Sequence, residues 1–215
     1  MMLMGGIDEA GRGPVLGPMI IAMVVADKKT LEKFKMYGVK DSKQLSPLMR
    51  KKLYNIIKEE SKYVISLELK PIEIDEAVFH GHKLSILEAK KMAELINTIK
   101  GVDIVYVDAA HINAEYFKGI IQSHLTYNVK IICEHNADER YISVSAASII
   151  AKVERDMIIN NLKQKYGDFG SGYPSDQKTI NFLKKWIKTY NDLPPFVRKS
   201  WSTIKRLSSA NDLLF

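Results

Sequence analysis

The sequence holds a single cysteine, Cys133, which excludes an intrachain disulfide and any zinc site built on four cysteines. Histidines are scarce too. The two short patterns they enter, His80-x-His82 and Cys133-x-His135, fall short of the ligand count of a zinc site. Long apolar runs are missing. The longest extends from Met19 to Ala26, far below the roughly 20 residues that span a bilayer, so no membrane partner is expected. The opening Met-Met-Leu-Met-Gly-Gly has no basic n-region and meets Asp8 and Glu9 almost at once, unlike a signal peptide. These shortages place the expected protein in a reducing cytoplasm.

What the sequence does hold is apolar material for a sizeable core, at 46% hydrophobic residues, and an excess of positive charge. The net charge of +7 is unevenly placed: residues 150 to 215 carry 12 Lys/Arg against 6 Asp/Glu. Such a surplus suits a polyanionic partner, because each phosphate contact releases condensed counterions. It equally suits a solubilising surface.

Leu3 to Asp8 reads as a strand. The Gly/Pro-rich stretch from Gly11 to Pro18 breaks it, and Met19 to Ala26 follows as a second strand, antiparallel to the first. Ser46-Pro47 opens a helix over 47–60, and residues 63–70 alternate as a strand. Periodicity predicts a helix over 83–99, a strand over 102–107 ending at Asp108, a helix over 114–124 and a strand over 127–133. A long helix runs from about Ser143 to Tyr166 and stops at Gly167; Ser175 is expected to cap another, to about Tyr190. Pro194-Pro195 opens a short helical end. The order predicts an α/β fold: a mixed five-stranded sheet flanked by helices over residues 1–167, then a helical C-terminal lobe and tail over 168–215.

Four acids stand out. Asp8 and Asp108 end predicted strands, where acidic residues are poor formers, and Glu9 and Asp138 accompany them. Carboxylates gathered at neighbouring strand ends suit hard divalent cations, and two such ions can activate a water and stabilise a leaving oxygen. For any single Asp taken alone, a strand end entering solvent is the plainer reading. Gly11-Arg12-Gly13-Pro14 is no dinucleotide loop, since a strand rather than a helix follows it. Its glycines permit close backbone approach to a ligand, and Arg12 can meet a phosphate. The plainer reading is a turn. Tyr173, on the loop Gly170 to Pro174, can stack on a base or sugar or pack over the core. Lys43, in Lys40-Asp41-Ser42-Lys43, is a phosphate contact or part of a solvated turn. Val144, Ala147 and Ile150 form a core-facing helix stripe.

These residues lie in blocks that resemble the ribonuclease HII family. Gly6-Ile7-Asp8-Glu9-Ala10-Gly11-Arg12-Gly13-Pro14 looks like its opening signature, and Val39 to Leu45 and Val107-Asp108-Ala109 are similar to the next two blocks. Ala137-Asp138 with Val144 to Asp156 resembles a fourth. Gly172 to Asp176 and Arg198-Lys199-Ser200-Trp201 look like the family's archaeal branch. The chain differs at Asn136, where the family generally has lysine, and at Ile142, where proline is common.

The resemblance implies a ribonuclease H-like fold. It makes Asp8, Glu9, Asp108 and Asp138 catalytic, metal-binding carboxylates for Mg²⁺ or Mn²⁺ in a two-metal site. It assigns Gly11, Arg12 and Gly13 to the ribose 2′-hydroxyl at an RNA–DNA junction, Tyr173 to the next sugar, and Lys43 to phosphate. The expected partners are RNA–DNA hybrid duplexes and DNA containing ribonucleotides, cut by a monomer. A non-catalytic hybrid-binding module and another nuclease on the same fold are the rivals. A sliding clamp is the one protein partner that Asn211–Phe215 raises. That tail lacks the glutamine and paired aromatics of clamp-docking segments, and a frayed terminus is the plainer reading.

Overall fold

The computed structural model describes residues 2–209, so the tail at 211–215 lies outside the described residues. The elements follow in the order β1 (Leu3–Ala10), β2 (Met19–Asp27), α1 (Lys28–Met36), a 3-10 turn (Ser42–Gln44), α2 (Pro47–Glu60), β3 (Tyr63–Leu69), α3 (Pro71–Phe79) and α4 (Leu84–Thr98). Next come β4 (Ile104–Asp108), α5 (Ala114–Ser123), β5 (Lys130–Glu134), α6 (Ala137–Arg140), α7 (Ile142–Tyr166), α8 (Gln177–Tyr190) and α9 (Ser202–Ser209). Helices α1 and α3 were not anticipated. The cap of α8 is Asp176, whose carboxylate accepts from the Lys178 N–H, rather than Ser175. The C-terminal helix begins at Ser202, well past Pro194-Pro195.

The chain forms two compact units, each discontinuous in sequence. The first comprises Met1–Ala10, Ile20–Glu68 and Leu84–Glu154; the second comprises Gly11–Met19, Leu69–Lys83 and Arg155–Phe215. The first holds a mixed five-stranded sheet in the order β3-β2-β1-β4-β5. β1 is antiparallel to β2 and parallel to β4, and β4 is parallel to β5. β2 is buried at every position but its last. That explains its unbroken apolar run: a strand covered on both faces needs no polar alternation.

Helix α7 meets the sheet at Gly6. A Cβ there would run into the backbone of Ser143 and Val144, so only glycine allows this approach. The Ser143 hydroxyl adds a bond to the Gly5 carbonyl at 3.3 Å. Val144, Ala147 and Ile150 are all fully buried, as the stripe predicted.

The second unit has its own core, in which Leu16, Phe169, Leu183, Ile187, Phe196 and Ile204 pack together. Leu183 and Ile187 lie four residues apart on α8, the spacing of one helix face. Leu16 pairs with Val197 in an isolated β-bridge, stitching the Gly11–Met19 stretch to the chain before α9. Among the described residues, no helix is long and apolar enough to cross a membrane.

Candidate active site

The acids of the first unit converge because the register of the sheet brings them together. Parallel pairing sets Ile7 beside Val107, so the next residues, Asp8 and Asp108, stand side by side and project from the same face. Asp108 pairs in turn with Glu134 on β5. Asp8 lies inside β1, two residues before its end, and is only 5% exposed. One Asp8 oxygen accepts the Glu9 N–H at 2.7 Å.

Asp138 reaches the same place from α6. One Asp108 oxygen accepts the Ala137 N–H at 2.8 Å, which pins the start of that short helix to the end of β4. Asn136, just before it, adopts a left-handed conformation with φ 55 and ψ 38. Asparagine tolerates that region far better than most side chains, which accounts for its presence. From above, the Ser145 hydroxyl of α7 donates to the Asp138 carbonyl at 2.6 Å.

The electrostatics record the crowding. Burial raises the Asp8 carboxyl well above the usual carboxylate range, and Asp108 and Asp138 push it further; the Glu9 N–H and the Ser148 hydroxyl pull against them. Asp138 is raised too, first by burial and then by Asp108 and Asp41. Lys43 opposes that rise, its ammonium 3.9 Å from an Asp138 oxygen. Partial burial pulls Lys43 down, but Asp138, Asp41, Asp8 and Asp108 together outweigh it and hold the ammonium above its ordinary range. Its side chain is still 84% exposed, so the charge also faces outward.

Sequence reasoning missed three members of this cluster. Asp41 is buried, accepts the Lys43 N–H at 3.0 Å and faces Asp138. Ser42 and Ser148 share a hydrogen bond of 2.8 Å behind Asp8. Asp41 was legible only as part of a charged turn, and Ser148 only as a small residue on a helix. Glu9 follows Asp8 directly, but the alternation of the strand starts its side chain from the opposite face.

Asp8, Asp108 and Asp138 are thus brought together, with Asp41 beside them. Among the described residues, no three carboxylate, imidazole or thiolate groups are arranged to close on a metal ion. The donor chemistry nevertheless fits a hard divalent cation. The cluster is all carboxylate oxygen, and its mutual repulsion is what such a charge relieves. Closing on an ion requires rotation of these side chains.

In the second unit, Gly11, Arg12 and Gly13 begin the stretch that bridges to Val197. Gly11 has φ +90, and a Cβ there would strike Arg155, so this position requires glycine. Tyr173 lies against Gly13: a Cβ added to Gly13 would stand 3.2 Å from the tyrosine ring. The Gly172 carbonyl accepts the Val15 N–H at 2.8 Å, fixing one loop on the other. Tyr173 is 43% exposed and presents part of its ring to solvent. Asp176 holds the tyrosine loop by accepting from the Ser171 N–H at 2.6 Å and its hydroxyl at 2.8 Å.

A mixed sheet in the order β3-β2-β1-β4-β5, with acids meeting where β1 and β4 run side by side, defines the ribonuclease H-like class. The Ribonuclease HII family model matches residues 5–204. Ribonuclease HII of Caldivirga maquilingensis is 50% identical over 208 residues, covering 97% of this chain and 96% of the relative. The crystal structure of ribonuclease H2 from Pyrococcus horikoshii superposes with a TM-score of 0.91 at 44% identity, covering 97% of this chain and 98% of that one. Ribonuclease HII from Archaeoglobus fulgidus, solved as a complex with PCNA, gives a TM-score of 0.84 at 37% identity over 94% of this chain and 96% of its own. The chain belongs to the ribonuclease HII family, a family of nucleases.

Proposed function

We propose that the protein is an endoribonuclease that hydrolyses the RNA strand of RNA–DNA hybrids and cuts on the 5′ side of a ribonucleotide at an RNA–DNA junction in duplex DNA. The products are a 3′-hydroxyl and a 5′-phosphate. The reaction serves to remove ribonucleotides and RNA primers from DNA. The observation that carries this reading is the convergence of Asp8, Asp108 and Asp138, where burial first and mutual repulsion second raise the carboxyls of Asp8 and Asp138.

Asp8, Glu9, Asp108 and Asp138 would hold Mg²⁺ or Mn²⁺. When bound, these ions supply an activated water and stabilise the leaving oxygen. The chain's own residues do the rest. Asp108 keeps α6 docked, so that Asp138 stays beside Asp8. Lys43 turns an exposed ammonium outward from the acids, where a phosphate oxygen is its natural partner. Gly11, Arg12 and Gly13 offer backbone at close range to the 2′-hydroxyl, the atom that separates RNA from DNA. Tyr173 lays a flat ring against the following deoxyribose, where an added hydroxyl is disfavoured. A sliding clamp is a partner by analogy with the Archaeoglobus relative solved with PCNA.

Two substitutions separate these roles. Tyr173→Ala should spread cleavage away from the junction while weakening duplex affinity less than about fivefold, read from product ladders beside binding curves. Unchanged cut sites would remove Tyr173 from the reading. Lys43→Ala should weaken duplex binding and lower the slope of log affinity against log salt by about 1, the signature of one lost phosphate contact. An unaltered slope would return Lys43 to a solvated turn.

The reaction itself is tested on a DNA duplex carrying one ribonucleotide. Cleavage 5′ to that ribonucleotide should require Mg²⁺ or Mn²⁺, stop with chelator and be absent on the all-DNA duplex. Binding without cutting under every condition would favour a hybrid-binding module, and cutting of the all-DNA duplex would favour another nuclease.

A further inference from the structure

Not all of the basic surplus toward the C-terminus is surface charge. Arg198 is 0% exposed and Arg155 only 4%. Both spend their guanidinium groups on one short stretch of backbone. Arg198 donates from Nε to the Gly17 carbonyl at 3.0 Å, and from its terminal nitrogens to the carbonyls of Arg12 at 2.9 Å and Gly11 at 2.6 Å. Its backbone N–H bonds the Val15 carbonyl at 2.9 Å. Arg155 bonds the carbonyls of Pro18 at 3.1 Å and Leu16 at 3.3 Å. Trp201, with its ring 4.8 Å from the Arg198 guanidinium, donates its indole N–H to the Gly13 carbonyl at 3.1 Å. The carbonyls are thus engaged from Gly11 to Gly13 and from Val15 to Pro18.

In a trans peptide the N–H points opposite to the C=O. Tying the carbonyls of Gly11 and Arg12 to a buried guanidinium therefore aims the amides of Arg12 and Gly13 away from it. We propose that Arg198 is a positioning residue for ribonucleotide recognition: its guanidinium, with Trp201 beside it, presents the Arg12 and Gly13 amides as donors to the ribose. This rests on the reading of the Gly11–Gly13 loop given above. Arginine is needed because a planar fork can serve three carbonyls in fixed directions, whereas a lysine ammonium is a single point. The segment carrying Arg198 is itself anchored. Asp75, which is buried, accepts the N–H of Lys199 at 2.8 Å, the N–H of Ser200 at 2.9 Å and the Ser200 hydroxyl at 2.6 Å.

The test measures selectivity. In an Asp8→Asn background, which should bind without cutting, affinity is determined for a labelled DNA duplex with one ribonucleotide and for the identical all-DNA duplex. Arg198→Lys should lower the ratio of the two affinities about tenfold, and Trp201→Phe about threefold, with the all-DNA affinity held within about twofold. With Asp8 restored, the rise in melting temperature on adding Mn²⁺ should match that of the parent protein. Should Arg198→Lys fail to fold, Trp201→Phe carries the same comparison. An equal fall in both affinities would make these side chains purely structural and overturn the proposal. Gly13→Ala, which crowds the Tyr173 ring, serves as the control on the underlying reading. If it lowers the ratio while folded Arg198→Lys and Trp201→Phe proteins keep theirs, the proposal fails and the loop reading stands. If none of the three changes the ratio, both fall.

Discussion

Asp8→Asn should slow hydrolysis at least about a thousandfold and, in metal-free buffer, stabilise the fold. The loss follows from the proposed chemistry: the amide removes a charge that would face the cation and the scissile phosphate, a change worth several kcal/mol at the transition state. The gain follows from the same burial. Asp8 is held above the usual carboxylate range by desolvation and by the charges of Asp108 and Asp138. A carboxyl raised in the folded state favours folding at acidic pH, and that support is lost as pH rises through its folded value. At neutral pH and above, the wild-type chain therefore carries a penalty of about 1–3 kcal/mol that asparagine removes, or roughly 3–10 °C in melting temperature. The difference between the two proteins should shrink toward pH 4, below which both carry a neutral side chain, and shrink again when Mn²⁺ loads the wild type. Calorimetry across pH, beside single-turnover rates, reads both arms. A less stable Asp8→Asn protein at pH 8 would show that its charge is satisfied within the chain.

Gly6→Ala should be the most damaging single methyl in the first unit. The new Cβ would sit inside contact distance of backbone atoms of Ser143 and Val144, and backbone cannot rotate aside as a side chain does. Either β1 or the start of α7 must move, at a cost of about 3 kcal/mol or more. Activity should fall beyond the loss of stability, because Ser145 and Ser148 on the displaced helix hold the Asp138 carbonyl and the Asp8 carboxyl. Thermal unfolding and the rate of the folded fraction, measured below the midpoint, check both parts. By contrast, Gly119, a helical position in α5 where an added Cβ meets nothing within 4 Å, offers a stability control.

Much of the first unit could be read from its sequence, because the signals were local. The strand β2 announced itself by apolar length, α2 by Ser46 and Pro47, and α7 by its small-residue stripe. Helix α1 stayed hidden because it is short and rich in lysine, and only Phe34 is buried on it. Helix α3 stayed hidden because Ile72, Glu73, Ile74 and Asp75 alternate like a strand, while its start depends on Glu73 accepting the Lys70 N–H at 2.9 Å. In the candidate site, Asp8 and Asp108 were legible as acids after apolar runs. Asp41 was not, since its burial arises from contacts far along the chain. Arg155 and Arg198 look in sequence like surface charge, and only tertiary structure shows them buried under backbone carbonyls.

The proposed gathering of separated acids would hold divalent cations where a phosphodiester is cut. It is tested most directly by anomalous scattering from crystals of the protein soaked in Mn²⁺ and bound to a duplex with one ribonucleotide. Anomalous peaks are expected within coordination distance of Asp8, Asp108 and Asp138, with Glu9 turned toward them. Ions bound only elsewhere, in crystals whose protein still cuts the duplex, would contradict it.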